Sequence, residues 1–142
     1  MMNASTGTAG CPRLAQQQPA LRVMTMPADL NPAGDVFGGW IMSMVDIAGA
    51  IPARRRCCSR VATVAVNSFV FKQPVSVGDL VSFYAEVVAV GRTSITVDVE
   101  VYAERNPEHP VLVKVTEARL TYVALDAQGQ KRTIPPAPPP AA

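Results

Sequence analysis

The sequence predicts an α+β domain in which one long helix packs against an antiparallel sheet. Only one long segment, residues 39–56, is apolar without the alternation typical of a strand. Four later segments are rich in β-branched and aromatic residues and are separated by short turns. Because short turns join neighbouring strands in antiparallel order, these segments predict a sheet with one helix available to cover a face.

The predicted domain occupies residues 21–133 of the 142-residue chain. Residues 1–20 are rich in Ala, Thr, Gly and Gln without a period, and residues 134–142 form a proline-rich tract. We predict that both ends are disordered, because neither composition builds a sheet. Within the domain, residues 21–26 predict a short strand, and residues 27–35, which are dense in turn-forming types, predict a loop.

The helix is predicted over residues 39–56. Asp35 lies upstream and is a candidate N-cap residue, because its side chain can bind free amide groups of the first turn. The arginine run 54–56 suits the other end, where the helix dipole favours cations. Pro52 predicts a kink or an early end, because proline removes one helical hydrogen bond. Since the helix is apolar almost all round, we expect other structure to wrap it.

One acidic residue, Asp46, lies in the middle of this apolar helix. An unpaired buried charge is costly, so the carboxylate must have a partner, become neutral or face a polar cavity. Asp46 shares a helical stripe with small residues, which let another group approach closely. On the residues alone, a structural role for such an acid is more common than a catalytic one.

The strands after the helix are predicted from their composition. They occupy residues 61–71, 80–90, 94–104 and 111–125. The third of these strands alternates strictly, and its apolar face is formed by Ile95, Val97, Val99 and Val101. One helix cannot cover a sheet of this size, so we expect copies of the chain to pair through exposed edges or apolar surface.

Composition excludes several classes of function. A net charge of +2 is too small for a protein that neutralises many phosphates, so no nucleic-acid partner is expected. Charges interrupt each apolar segment well before the roughly 20 residues of a membrane span. The 3 cysteines form neither a CxxC spacing nor an even disulfide framework, and the N-terminus lacks a signal-peptide pattern. We therefore expect a cytoplasmic protein without a metal or a membrane partner.

Nucleophilic triads are also disfavoured. His109 is the only histidine and lies in the turn-rich segment NPEHP, where a solvated side chain is expected. No GxSxG motif is present, and the adjacent Cys57 and Cys58 have no histidine near a recognisable motif. We interpret the cysteine pair as structural.

Residues 27–50, PADLNPAGDVFGGWIMSMVDIAGA, resemble the signature of the YciA-like acyl-CoA thioesterases, a family with the hotdog fold. The likeness continues through RVATVAVNSFVFKQPVSVGDLVSFYAEVVAVGRTSITVDVEV and TEARLTYVALDAQGQKR and covers residues 22–133. It implies a curled antiparallel sheet wrapped around one long helix. It also implies hydrolysis of acyl-CoA to a free acid and coenzyme A, with no cofactor other than the coenzyme A of the substrate itself.

The same resemblance implies a catalytic site. Asp46 takes the position of the family's catalytic carboxylate, acting either as a general base on water or as a nucleophile. Gly38 and Gly39 match paired glycines whose amide groups face the negative charge that develops on the thioester oxygen. Asp35 is expected to line the same site.

The resemblance further implies contacts to coenzyme A and to other copies of the chain. The turn GRTS is expected near the pantetheine arm. Its residues are Gly91, Arg92, Thr93 and Ser94, and the candidate phosphate contacts are Arg60, Lys72 and Arg92. The family implies a homodimer with sites between subunits, which can assemble further into a hexamer as a trimer of dimers.

Two other functions stay open at the level of the sequence. The same fold could serve a silent acyl-CoA binding or sensing protein, although neither end of the chain is patterned as an output module. Hydrolysis of a different thioester, aromatic or carrier-bound, is the second. The acyl chain length is not predicted, because the lining of an acyl tunnel depends on strand register and on the neighbouring subunit.

Overall fold

The computed structural model describes residues 17–137, and the predictions for residues 1–16 and 138–142 lie outside that part of the chain. Its elements are β1 (Leu21–Met24), a 3-10 turn (Pro27–Asp29), α1 (Gly38–Cys57), β2 (Arg60–Phe71), β3 (Leu80–Val90), β4 (Ser94–Arg105) and β5 (Val111–Leu125). The predicted α+β class is confirmed, and the four later strands lie where their composition predicts them.

The five strands form one antiparallel sheet in the order β1-β3-β4-β5-β2. Helix α1 contacts all five strands and covers one face of the sheet. The apolar side chains of β4 point at the helix and are fully buried, as their alternation predicts; they are Ile95, Val97, Val99 and Val101. Strand β2 is an edge strand, paired with β5 along one side only.

The helix begins at Gly38, and the residue at its N-cap position is Phe37, without a side-chain cap. The prediction that Asp35 caps the helix is therefore wrong. Its amide donates a hydrogen bond to Asn31 Oδ1, at 3.1 Å. The next residue, Val36, donates a hydrogen bond from its amide to the Val75 carbonyl, at 2.9 Å. This extended link separates Asp35 from the free amides of the first turn.

Pro52 does not end the helix, which continues to Cys57 and closes at Cys58 in the left-handed conformation, with φ 53°. Of the kink or early end that Pro52 predicts, the early end is therefore wrong. Ala53 and Cys57, which follow the proline, are fully buried against the sheet. Their burial stabilises the last turn enough to offset one lost hydrogen bond.

The packed structure extends past the predicted boundary at residue 133. Ile134 is 7% exposed, and its amide donates to the Arg92 carbonyl, at 2.8 Å. Arg56 Nη1 donates to the Pro135 carbonyl, at 2.7 Å. An apolar side chain and a carbonyl that accepts a hydrogen bond therefore hold the start of the proline-rich tract on the domain.

The helix is not wrapped all round by its own chain, which corrects the expectation from its composition. The helix exposes Met42 and Ile47 to solvent, and Ile47 is 51% exposed. Strand β2 adds further exposed apolar side chains, among them Val64 and Val66. Within residues 17–137, no helix is long and apolar enough to cross a membrane.

Candidate active site

Asp46 lies half-buried in the middle of α1, on the side that faces the β2–β5 pair. Its Oδ1 accepts a hydrogen bond from Thr63 Oγ1, at 2.6 Å. None of the ion pairs among residues 17–137 includes Asp46. The partner of this carboxylate is therefore a neutral hydroxyl, which orients the acid without cancelling its charge.

Thr63 is a site residue that the sequence reasoning missed. It lies near the start of β2 and is directly opposite Tyr122 of β5 in the strand register. The composition of the strand does not single it out, because β2 also contains the polar residues Asn67 and Ser68. The sequence could not supply the contact between Thr63 and the helix.

The paired glycines start the helix, as the resemblance implies. The amide groups of Trp40 and Ile41 donate to the Phe37 carbonyl, whereas no hydrogen bond among the described residues uses the amides of Gly38 or Gly39. A Cβ on Gly39 would meet nothing within 4 Å, and one on Gly38 would lie 3.1 Å from the Phe71 ring. Two backbone donors without a hydrogen-bond partner among the described residues thus lie at the positive end of the helix.

A cavity of about 310 Å³ opens beside Gly38. Its walls come from the start of the helix, the loop before it and the segment after β2. The lining residues are Asp35, Val36, Gly38, Ile41, Phe71, Lys72, Gln73, Pro74 and Val75. Asp35, Gly38 and Lys72 therefore meet in one apolar cavity with a polar rim.

The other candidate substrate contacts collect at the opposite end of β2. Arg60 pairs with Leu125 of β5 in the strand register. The turn of residues 91–94 lies beside the same end of β5, where the Thr93 carbonyl accepts a hydrogen bond from the Ala124 amide, at 2.9 Å. Lys72 follows the far end of β2 and forms an ion pair with Glu117. The predicted phosphate contacts of one chain thus do not form one cluster.

The remaining reactive side chains stay apart from Asp46. His109 is exposed in the turn between β4 and β5. Burial raises the pKa of the Cys57 thiol, which keeps it protonated, and Cys58 is an exposed free thiol. Among residues 17–137, no group of three His, Cys, Asp or Glu side chains is arranged to hold a metal ion. The candidate catalytic groups on or beside α1 are therefore the Asp46 carboxylate, the Thr63 hydroxyl and the two glycine amides.

The family model of the thioesterase superfamily matches residues 33–108. The matched stretch starts before the glycine pair and contains both Asp46 and Thr63. The chain belongs to the thioesterase superfamily. Its curled five-strand sheet packed against one long helix is the hotdog fold, which the resemblance implied.

Relatives within the superfamily match over most of both chains. An uncharacterized acyl-CoA thioester hydrolase of Haemophilus influenzae is 48% identical, and the match covers 81% of this chain and 76% of the relative. The acyl-CoA thioester hydrolase YciA of Escherichia coli K12 is 45% identical and covers 81% and 89%. A hexameric hotdog fold thioesterase of Campylobacter jejuni superposes with a TM-score of 0.81 at 46% identity, covering 84% and 91%.

A more distant relative bears on the Asp46–Thr63 pair. The acyl-CoA hydrolase of Staphylococcus aureus, solved with butyryl coenzyme A, is 28% identical with a TM-score of 0.75, covering 81% of this chain and 70% of its own. It has also been solved as an aspartate-to-alanine and as a threonine-to-alanine mutant. The two mutated positions are 17 residues apart, the separation of Asp46 and Thr63 in this chain.

Proposed function

We propose that this thioesterase hydrolyses acyl-coenzyme A to a free acid and coenzyme A, with Asp46 as the catalytic carboxylate. The observation that carries the proposal is the hydrogen bond between Asp46 Oδ1 and Thr63 Oγ1, at 2.6 Å. It places an oriented carboxylate in the middle of the superfamily's helix, in a chain 45% identical to the acyl-CoA thioester hydrolase of Escherichia coli. The relatives support the reaction class, and the Asp46–Thr63 geometry supports the residue.

In this mechanism Asp46 acts as a general base. Thr63 donates a hydrogen bond to Oδ1, and we assign Oδ2 to the attacking water molecule. The water oxygen attacks the thioester carbon while its proton passes to Asp46. The carbonyl oxygen becomes an oxyanion that accepts hydrogen bonds from the free glycine amides. When the intermediate collapses, the C–S bond breaks and the coenzyme A thiolate takes the proton back.

Oxygen-labelled water separates this route from nucleophilic attack by the carboxylate. In a single turnover, a general base places the label in the fatty acid. A nucleophilic Asp46 would form an anhydride, and its hydrolysis at the aspartyl carbon would leave the label on the enzyme. We expect the label in the product and none on the peptide that contains Asp46, as measured by mass spectrometry.

Two chains are needed to complete this site. Gly38 and Asp46 are eight residues apart on α1, which corresponds to about 12 Å along the helix axis. The amide of Gly38 points away from the helix body, so an oxygen bound to it lies about 15 Å from the Asp46 backbone. A water that attacks the neighbouring carbon must stay within about 3.5 Å of that carbon. Asp46 of one subunit therefore works with Gly38 and Gly39 of its partner.

The edge strand β2 is the surface through which we propose that the subunits pair. It is unpaired along one side, and it exposes Val64 and Val66, which are 56% and 47% exposed. Thr63 lies between them and Arg60, so pairing here brings the partner close to Asp46. The solved relatives from Campylobacter jejuni and Yersinia pestis are hexameric, which supports further assembly as a trimer of dimers.

Charge on this edge is expected to dissociate the subunits. In a Val64→Lys, Val66→Lys variant, lysines from two copies would face each other across the two-fold axis, where like charges repel. Sedimentation should show monomers and the thioesterase rate should fall to background, because no complete site remains. Val111→Lys adds the same charge at another exposed valine and is expected to retain the wild-type mass. An active, dimeric edge variant would contradict pairing through β2.

Coenzyme A is expected to bind along the subunit that supplies Asp46. Arg60 and Arg92 are exposed cations at the end of the sheet where the turn of residues 91–94 lies. A pantetheine arm that starts near Thr63 can place its phosphates there, whereas Lys72 lies beside the glycine cavity. We propose Arg60 and Arg92 as phosphate contacts, Gly91, Thr93 and Ser94 as contacts to the arm, and no metal or cofactor. A cytoplasmic location is part of the same proposal.

The Thr63 hydroxyl is expected to raise the rate by orienting Asp46. In Thr63→Val the side chain keeps its shape and loses the donor, so kcat should fall about tenfold with little change in KM. Thr121→Val is the matched control, because Thr121 Oγ1 donates to Asn67 Oδ1, at 2.7 Å, and does not touch Asp46. Equal losses of kcat in the two variants would contradict the role of Thr63.

The function is tested by release of free coenzyme A from acyl-CoAs of graded chain length, followed with a thiol reagent. Cys58 is an exposed thiol and will react with the reagent, so each trace needs an enzyme blank without substrate. Turnover by the wild type would establish the thioesterase and supply its chain-length preference. Tight binding of acyl-CoA without coenzyme A release would instead establish the silent binding protein.

A further inference from the structure

Tyr122 of β5 is nearly fully buried, 1% exposed, and lies under the helix at Asp46. Its hydroxyl donates a hydrogen bond to the main-chain carbonyl of Asp46, at 2.8 Å. In an α-helix that carbonyl also accepts the amide four residues later, so the tyrosine adds a second donor to a carbonyl that is already satisfied. The hydrogen bond from Tyr122 is therefore not needed to satisfy the backbone of the helix.

The helix makes room for this hydroxyl at Gly49. A Cβ on Gly49 would lie 2.4 Å from the Tyr122 oxygen and 3.2 Å from Cζ. The backbone of α1 and the phenol are therefore in direct contact, one turn after Asp46. Gly49 costs a helix stability relative to alanine, so its presence here is explained by the hydroxyl that takes its side-chain space.

Tyr122 and Thr63 are opposite each other in the β2–β5 register. Thr63 contacts the carboxylate of Asp46 and Tyr122 contacts its backbone carbonyl. One cross-strand pair thus fixes Asp46 at both ends. Burial and the nearby Asp46 raise the pKa of Tyr122 well above its usual value, so its hydroxyl stays protonated as a donor at any working pH.

We propose that Tyr122 is a positioning residue for thioester hydrolysis, which sets the height and rotation of Asp46 over the sheet, and that Gly49 leaves the space that its hydroxyl occupies. The inference rests on the proposed function, because it assumes that Asp46 reacts. A shift of the carboxylate by a fraction of an ångström changes the approach of the water, and such misplacement lowers the rate without altering substrate binding.

The test starts from Tyr122→Phe, which removes only the hydroxyl. We expect kcat to fall roughly tenfold with KM unchanged. Tyr102→Phe is the matched control, since Tyr102 is also buried and its hydroxyl donates to Glu100 Oε2, at 2.8 Å, on β4. That variant is expected to keep the wild-type kcat. A Tyr122→Phe enzyme with wild-type kcat would overturn the proposal.

Combining Tyr122→Phe with Asp46→Asn separates positioning from general stability. A residue that acts through the carboxylate loses its effect when the carboxylate is absent, so the double variant should have the same residual rate as Asp46→Asn. An additional tenfold loss in the double variant would mean that Tyr122 supports the structure and would overturn the proposal. If Asp46→Asn alone keeps wild-type activity, the proposed function fails first, and the two failures are distinguished.

Gly49→Ala supplies a second, independent comparison. Alone, its methyl group would collide with the Tyr122 hydroxyl, and we expect a lower melting temperature and a lower kcat. In Gly49→Ala combined with Tyr122→Phe, the methyl takes the space that the hydroxyl vacates. The melting temperature should recover while kcat stays at the level of Tyr122→Phe. Recovery of kcat together with the melting temperature would overturn a positioning role for the hydroxyl.

Discussion

Replacing Asp46 by asparagine is expected to lower kcat/KM for acyl-CoA by roughly 10²–10⁴-fold, the range typical of losing a general base. Asparagine has nearly the same shape and can still accept the hydrogen bond that Thr63 Oγ1 donates to Oδ1. It cannot take a proton from water. Because Asp46 forms no ion pair with the described residues, the fold loses little, and the melting temperature should stay close to that of the wild type.

Two acidic residues serve as comparisons for Asp46→Asn. Glu104 is exposed on β4, away from the helix, and Glu104→Gln should retain the wild-type rate. Asp35 lines the glycine cavity without contacting Asp46, so Asp35→Asn should cause a smaller loss, seen mainly in KM. Coenzyme A release by a folded Asp46→Asn enzyme at near wild-type rate would remove Asp46 from the mechanism.

Local patterns were sufficient to predict the elements of the fold. The alternation from Ile95 to Val101 determined which face of β4 is buried, since a strand of period two allows only two choices. The helix was equally visible from its lack of alternation. The two ends of the helix depended on contacts with other residues instead. The amide of Asp35 donates a hydrogen bond to Asn31. Burial of Ala53 and Cys57 stabilises the helix beyond Pro52.

The candidate site was only half visible in the sequence. Asp46 stands out as an acid in an apolar helix, and Gly38 and Gly39 stand out as a pair. Thr63 and Tyr122 do not, because their roles come from contacts over 17 and 76 residues of sequence. Such contacts depend on strand register and on how the helix lies over the sheet, and neither can be read from a local window.

Subunit complementation should restore activity from two inactive variants, which tests the shared site directly. Gly38 is the first residue of α1, and Phe37 before it has φ −56° and ψ 134°, a conformation that a following proline accepts. Gly38→Pro therefore deletes one free amide while the helix can still form. We expect its kcat to fall roughly 10²–10³-fold, as for loss of one oxyanion donor. Gly38→Ala keeps the amide, makes the same contact with Phe71, and should fall much less.

When Gly38→Pro and Asp46→Asn chains are refolded together in equal amounts, half of the dimers contain one of each. In a site built from Asp46 of one subunit and Gly38 of its partner, each mixed dimer holds one site with both groups intact. Activity should then return to about a quarter of the wild-type value per chain. A site contained within one chain would have no intact copy in any mixture, and the rate would stay at the level of the separate variants. Recovery therefore requires that the carboxylate and the oxyanion amides come from different chains, as the distance of about 12 Å along the helix demands.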